Sequence, residues 1–197
     1  MKKRIAVFAS GGGTDLQSVI DAVRQGEIEA EIAVVIGSKA GIYALERARL
    51  AGIETAVFDK RDFENLDAMY EALIVFLQKR GVDLIVLAGY LTILTPNIVR
   101  AFERKIINIH PSLIPKYCGI GFYGMRVHEA VIAGGETESG CTVHYVDEGA
   151  DTGAIIAQTK VPVYPDDTPE TLQKRVLEAE HRLLPQTVKR ICKGELQ

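Results

Sequence analysis

Runs of apolar residues alternate with segments of mixed polarity along the first 110 residues, setting short extended stretches between helical ones. "RIAVFAS" (4–10), "AEIAVVIGS" (30–38), "IETAVFD" (53–59), "VDLIVLAG" (82–89) and "KIINIH" (105–110) read as strands. "TDLQSVIDAVRQGE" (14–27), "YALERARLAG" (43–52) and "DFENLDAMYEALIVFLQKRG" (62–81) carry apolar positions at helical intervals. Strands apolar on both faces, separated by helices, predict an α/β fold with a parallel sheet covered on each side. After residue 110 the pattern changes. "MRVHEAVIAGG" (125–135) predicts a helix, while "GCTVHYVDE" (140–148) and "AIIAQTKVPVYP" (154–165) predict longer alternating strands, a mixed or antiparallel extension of the same sheet. A final helix is expected from Thr168, with Thr168 as N-cap and Pro169 in its first turn, running towards Cys192 and kinked at Pro185. No repeat, linker or low-complexity stretch divides residues 1–197, so one domain is expected.

Composition narrows the class without choosing a function. With 47% hydrophobic and 25% charged residues the chain is an ordinary globular sequence, long enough to bury a core. A net charge of -3 gives no reason to expect a nucleic-acid surface. Cys118, Cys141 and Cys192 are odd in number and widely spaced, which argues against a disulfide framework or a zinc cluster and suits a cytoplasmic protein. The basic, apolar start "MKKRIAVFAS" is too short for a secretory signal, and no segment is long enough to span a membrane.

Three stretches carry candidate chemistry. In "ASGGGTDLQ" the third glycine of a G-x-G-x-x-G run is absent, since Leu16 stands there, and the stretch is no Walker loop. Two readings stand. Thr14 and Gln17 fit a capping box, making the segment a tight turn before a capped helix. Alternatively, glycines and free helix N–H groups form a phosphate site, which Asp15 opposes unless it accepts from a sugar hydroxyl or turns away. In "IINIHPSLIPKY", strand alternation puts Asn108 and His110 on one side and Ile107 and Ile109 on the other. The C-terminal strand ends of an open parallel sheet line the ligand crevice, and Gly11, Gly12, Gly13 and Thr14 should open onto the same edge. "YVDEGADTGAII" then adds a loop of carboxylates and glycines that fits a calcium loop poorly. An amide can donate to an oxyanion, a histidine can donate or shuttle a proton, and a carboxylate can orient that histidine. No serine sits in a nucleophile elbow and no cysteine has a base nearby, so direct attack by a substrate nucleophile on a carbonyl is expected.

"ASGGGTDLQ", "LAGYLTILTP", "INIHPSLIPKYCG" and "VDEGADTG", in this order and spacing, resemble the phosphoribosylglycinamide formyltransferase family, from the first strand to "AEHRLLP" in the last helix. "NIHPSLIP" alone marks the wider formyltransferase superfamily. The resemblance implies a Rossmann-like, mostly parallel twisted sheet with helices on both faces. It also implies a single formyltransferase domain over residues 1–197, with the ribonucleotide phosphate held by the part up to about residue 100 and the folate and catalysis by the remainder. The implied reaction is attack of the glycinamide ribonucleotide amine on the formyl carbon of 10-formyltetrahydrofolate, a co-substrate, in purine biosynthesis in the cytoplasm, with no metal. On this resemblance Asn108 and protonated His110 stabilise the tetrahedral oxyanion, and Asp151 supports His110 and relays a proton through water. Gly12, Gly13, Thr14, Asp15 and Glu180 contact the ribonucleotide. Leu91, Thr92, Ile93 and Leu94, with Asn108 and the segment Asp147, Glu148, Gly149, Ala150 and Asp151, form the folate pocket.

The chain departs from the family at three places. Asp15 stands where asparagine is usual, Leu91 and Thr92 stand where many relatives carry methionine and arginine, and a family arginine of the third helix is replaced near Leu66. His144 alternates with Thr142 and either faces the crevice or is structural; His128 and His181 read as structural or solvent-facing. "CGIGFYGM" holds enough glycine to close over a ribonucleotide. Partners are expected to be small molecules rather than nucleic acid or membrane, with a homodimer as one option. The rival readings are a formyltetrahydrofolate deformylase, which normally carries an N-terminal regulatory domain, and a catalytically silent folate- or nucleotide-binding module. A methionyl-tRNA formyltransferase would need an added C-terminal domain and a basic surface.

Overall fold

The structure is a computed structural model that describes residues 2–196. Among these residues the strands are β1 Lys3–Ala9, β2 Ala30–Gly37, β3 Thr55–Val57, β4 Leu84–Leu87, β5 Ile106–His110, β6 Glu138–Tyr145 and β7 Ile155–Pro162. The helices are α1 Thr14–Arg24, α2 Tyr43–Leu50, α3 Leu66–Gln78, α4 Pro96–Ala101, α5 Met125–Ala133 and α6 Pro169–Cys192. All strands join one sheet in the order β3-β2-β1-β4-β5-β6-β7. Pairing is parallel from β3 through β5 and antiparallel for β5 with β6 and β6 with β7.

Alternation along each strand divides the apolar side chains between two cores. On β1, Ile5, Val7 and Ala9 enter the core with residues of α1, α2 and α6, while Ala6 and Phe8 enter the core with residues of α3 and α4. Each large side chain buried in this way is worth roughly 1.5–3 kcal/mol relative to exposure. The sheet order reverses direction at β1, which lies between β2 and β4. A crevice therefore opens at the C-terminal ends of β1 and β4. Its two sides are tied by Ser10 N–H to the Gly89 carbonyl at 3.0 Å and by Leu91 N–H to Ser10 Oγ at 2.9 Å.

Several elements differ from the sequence expectation. The strand expected over 53–59 shrinks to Thr55–Val57 because it lies at the sheet edge and pairs with β2 alone. The third helix begins later than expected, at Leu66, where the Asn65 side chain accepts from Ala68 N–H and caps it. The six-residue α4, started by Pro96, was not anticipated; its Ile98 and Val99 are buried. α6 has the expected Thr168 cap, formed as a reciprocal pair with Thr171, and runs through Pro185 as one helix. Pro162 sits in an edge strand, where a missing N–H costs little.

The capping box expected from Thr14 and Gln17 does not form. Gly13 is the N-cap in a left-handed conformation, φ 72°, and no side chain caps the helix. The Gln17 amide instead donates to Asp21 at 2.9 Å and its carbonyl accepts from Arg47 at 3.2 Å. A Cβ on Gly13 would lie 2.7 Å from Ala44 Cβ and 2.8 Å from Ala44 Cα, so both conformation and space demand glycine. Gly11 and Gly12 have open space instead. Gly13→Ala is expected to lower stability by about 1–3 kcal/mol, read from urea unfolding. Gly12→Ala should change it by less than about 1 kcal/mol. Equal effects would contradict this account of the loop.

Candidate active site

β5 carries its two polar residues to the C-terminal edge of the sheet. Ile107 and Ile109 pack into the core beneath α1 and α6, which turns Asn108 and His110 towards the opposite face. The antiparallel register sets Asn108 opposite His144 and His110 opposite Thr142. The segment after β5 is fastened from β6: Thr142 Oγ donates to the Ser112 carbonyl at 2.6 Å and accepts from Ile114 N–H at 3.2 Å. That segment contains a cis Ile114–Pro115 bond and reaches Tyr117, φ 51°, whose carbonyl accepts from His110 Nε2–H at 2.9 Å.

Asp151 completes the cluster. It lies in the loop between β6 and β7 with φ 57°, and its two carboxylate oxygens face different partners. Oδ2 accepts from Gly119 N–H at 2.9 Å and lies 3.5 Å from His110 Nδ1. Oδ1 accepts from Asn108 Nδ2 at 3.4 Å and lies 3.5 Å from His144 Nε2. The structure thus brings together the three residues expected to be catalytic, and adds His144.

The hydrogen bonds assign ring tautomers. His144 Nδ1 lies 2.8 Å from the Tyr145 carbonyl and must donate to it, while its Nε2 lies 3.2 Å from Asn108 Nδ2 and 3.5 Å from Asp151 Oδ1. His110 donates through Nε2, so Nδ1 is the nitrogen that faces Asp151 and the crevice. Burial pushes the Asp151 carboxyl up, but His144, the charge of His110 and the Gly119 N–H outweigh it and hold it at about 2. The carboxylate is therefore ionised near neutral pH. Burial lowers the His110 pKa from its ordinary value, and the Asp151 charge works against that fall. The ring thus stands where a charge on it is opposed by burial and supported by the Asp151 carboxylate, 3.5 Å from Nδ1. His128, buried on α5, is lowered to about 4 by burial and by the charge of His110, so it is neither solvent-facing nor a cation.

The remaining expected residues fall into two further groups on the same edge. Leu91, Thr92, Ile93 and Leu94 follow β4, with Leu91 and Ile93 exposed and the Thr92 carbonyl accepting from the Tyr70 hydroxyl at 3.4 Å. Across from them, Asp147 Oδ1 accepts from Gly149 N–H at 3.0 Å and Thr152 Oγ at 2.6 Å, shaping the loop through Glu148, Gly149 and Ala150. Arg100 of α4 pairs with Glu148 at 2.7 Å. Leu66, near the replaced family arginine, packs against the core beneath α3.

The glycine loop forms the other group. The Gly12 carbonyl accepts from Arg47 Nε at 2.8 Å, and Gly13 and Thr14 open α1. Asp15 turns inward, its Oδ1 3.7 Å from His181 Nε2. Glu180, which passes for a helix-surface charge in the sequence, is buried on α6. A cavity of about 540 Å³ between α1 and α6 is lined by Thr14, Gln17, Arg47, His181 and Arg182, among others. Among the described residues no helix is long and apolar enough to cross a membrane, and no group of three or more His, Cys, Asp or Glu could hold a metal ion.

An amide, an imidazole and an ionised carboxylate, set at the open edge of such a sheet beside a glycine-opened helix, define an acyl-group transferase that works without an enzyme nucleophile. Comparison with known proteins names the group transferred. Residues 3–188 match the formyl transferase family. The sequence is 47% identical over 195 residues to phosphoribosylglycinamide formyltransferase of Haemophilus influenzae, covering 99% of this chain and 90% of that one. The structure matches glycinamide ribonucleotide transformylase 1 from Symbiobacterium toebii at TM-score 0.94 and 40% identity, covering 100% of this chain and 90% of that one. A formyltetrahydrofolate deformylase from Pseudomonas syringae shares the fold at TM-score 0.90, but at 23% identity, with 63% of that chain covered, the likeness is one of fold alone. The chain belongs to the formyl transferase family, on the branch of the phosphoribosylglycinamide formyltransferases.

His144 is the site residue that sequence reasoning left undecided. Its alternation with Thr142 was visible, but only the β5–β6 register shows that it faces Asn108. The cluster makes a signed prediction for His110. Its pKa, read by NMR titration, should lie below the ordinary 6.5 and fall further in Asp151→Asn, because the carboxylate is what opposes the drop. An unchanged or raised value in the variant would contradict the proximity argued here.

Proposed function

We propose that this cluster carries out the family's reaction: the amine of glycinamide ribonucleotide takes the formyl group of 10-formyltetrahydrofolate, a step of purine biosynthesis. The observation that carries the reading is the convergence of Asn108, His110 and Asp151, with Asp151 within 3.5 Å of both. As the amine attacks, a C–N bond forms and the formyl oxygen becomes an oxyanion. Asn108 Nδ2 donates to that oxygen; its present contacts, 3.2 and 3.4 Å, are long enough to be exchanged for a shorter one. Protonated His110 donates from Nδ1 to the same oxygen, and the Asp151 carboxylate, 3.5 Å away, stabilises the imidazolium. Breakdown cleaves the bond between formyl carbon and folate nitrogen, and the proton lost by the attacking amine passes by way of water and Asp151 to the leaving nitrogen, so no proton is gained or lost overall. Holding both substrates in one crevice makes a bimolecular step effectively intramolecular.

The folate is assigned to Leu91, Thr92, Ile93, Leu94 and the loop 147–151, since Leu91 and Ile93 expose apolar side chains after β4 and Asp147 shapes the loop. The ribonucleotide is assigned to Gly12, Gly13, Thr14, Asp15 and Glu180, since the α1 N-terminus offers N–H groups to an anion. Arg47 and Arg182 beside it make no ion pair among the described residues and can add charge. One sheet running through both halves, and the packing of α6 on α1, support reading the chain as a single domain with the phosphate side in the first hundred residues. Free Cys118, Cys141 and Cys192 accord with a cytoplasmic setting.

Mixing the protein with both substrates should give formyl loss that depends on the amine. Loss at the same rate without the amine would instead make it a hydrolase, and no loss at all a silent binding module. His110→Ala and Asp151→Asn should each reduce kcat by about 10²–10⁴-fold with ribonucleotide affinity little changed. Near wild-type turnover in either variant would remove that residue from the mechanism.

A further inference from the structure

α1 and α6 enclose a second acidic cluster that formyl transfer does not use. Asp15 stands in the first turn of α1, and Glu180 is 6% exposed on α6. Neither is paired with a lysine or arginine among the described residues. Asp15 Oδ1 faces His181 Nε2 at 3.7 Å, and both atoms are buried without a hydrogen-bond partner. The charge acting on Glu180 is that of Asp15 itself. Around the pair stand His181 on α6, with Glu178 acting on it, Arg47 on α2, held by the Gly12 carbonyl, and Cys141 on β6. Burial, followed by the charges of Glu180 and Asp15, pushes the Cys141 thiol up to about 12, so the thiol feels both carboxylates.

Two buried carboxyls without cationic partners do not both ionise. Burial raises Asp15 to about 6, and burial with the Asp15 charge raises Glu180 well above the ordinary carboxyl range. His181, which faces Asp15, also lines the cavity of about 540 Å³ that runs between α1 and α6 and reaches Thr14 at the α1 N-terminus. A phosphate dianion seated there would be repelled by an ionised Asp15. A protonated Asp15 would donate instead, and His181 Nε2, facing it without a partner, is placed to share that proton.

We propose that Asp15 and Glu180 act as a proton-holding carboxyl pair that sets ribonucleotide affinity, so that seating the phosphate at the α1 N-terminus draws a proton onto the pair. The proposal rests on the ribonucleotide site argued above and adds a specificity-determining role for Asp15. Its sign follows from linkage. Binding a dianion favours the protonated pair, so affinity falls as pH rises above neutrality, by up to about tenfold per pH unit for one linked proton. The phosphate and the substrate amine titrate identically in every variant, so the difference between variants isolates the pair.

The test is calorimetric titration with glycinamide ribonucleotide, without folate, at pH 7 to 8.5 in two buffers of different ionisation enthalpy. Wild type should take up more protons on binding than Asp15→Asn. At pH 8.5 Asp15→Asn should have a several-fold lower KM for the ribonucleotide, and its KM should rise less steeply with pH than that of the wild type. Glu180→Gln should also reduce the uptake, which guards against a folding defect in a single variant. Equal proton uptake in wild type and both variants, or a parallel pH dependence of KM, would overturn the proposal. Turnover separates the two claims: an active wild type without linkage loses only the carboxyl pair, while failure to bind the ribonucleotide overturns both.

Discussion

One carboxylate, that of Asp151, holds the site together. Its oxygens meet a strand amide, two imidazoles and a loop N–H, and those partners come from β5, β6 and the segment after Tyr117. The arrangement depends on the antiparallel register that places Asn108 beside His144. A slip by one residue would turn Asn108 and His110 into the core and bring isoleucines to the crevice. The apolar faces of Ile107 and Ile109, buried beneath the helices, therefore fix the chemistry as much as the polar residues do.

The same physics gives opposite results at two acidic sites. Asp151 is largely buried, yet donors on several sides keep it charged. Asp15 and Glu180 have no comparable donors, so burial raises both above the ordinary carboxyl range. The first setting suits a group that must stabilise an imidazolium beside it. The second suits a group that must not repel an anion. Carboxylates in one crevice can thus take different roles with no difference in their own chemistry.

Much of the architecture was legible in the sequence. Helix-strand alternation predicted the parallel half of the sheet, and the longer alternating runs after residue 110 predicted its antiparallel extension. The period of two in "IINIH" correctly sent Asn108 and His110 to one side. What could not be read depended on contacts between distant elements. His144 enters the site through strand register, and Glu180 is buried because α6 lies on α1. The Thr14–Gln17 pattern matched a capping box, but close approach of Ala44 places a left-handed glycine at the cap instead. α4 escaped notice because six residues are too few to display a period.

The central claim is that Asn108 and His110 meet the oxyanion in the crevice Asp151 organises. The most direct measurement is a crystal structure with a bisubstrate analogue whose tetrahedral carbon joins a folate to a glycinamide ribonucleotide. The account predicts its hydroxyl oxygen about 3 Å from both Asn108 Nδ2 and His110 Nδ1, with the phosphate at the α1 N-terminus. A tetrahedral centre bound elsewhere, with neither side chain in contact, would contradict it.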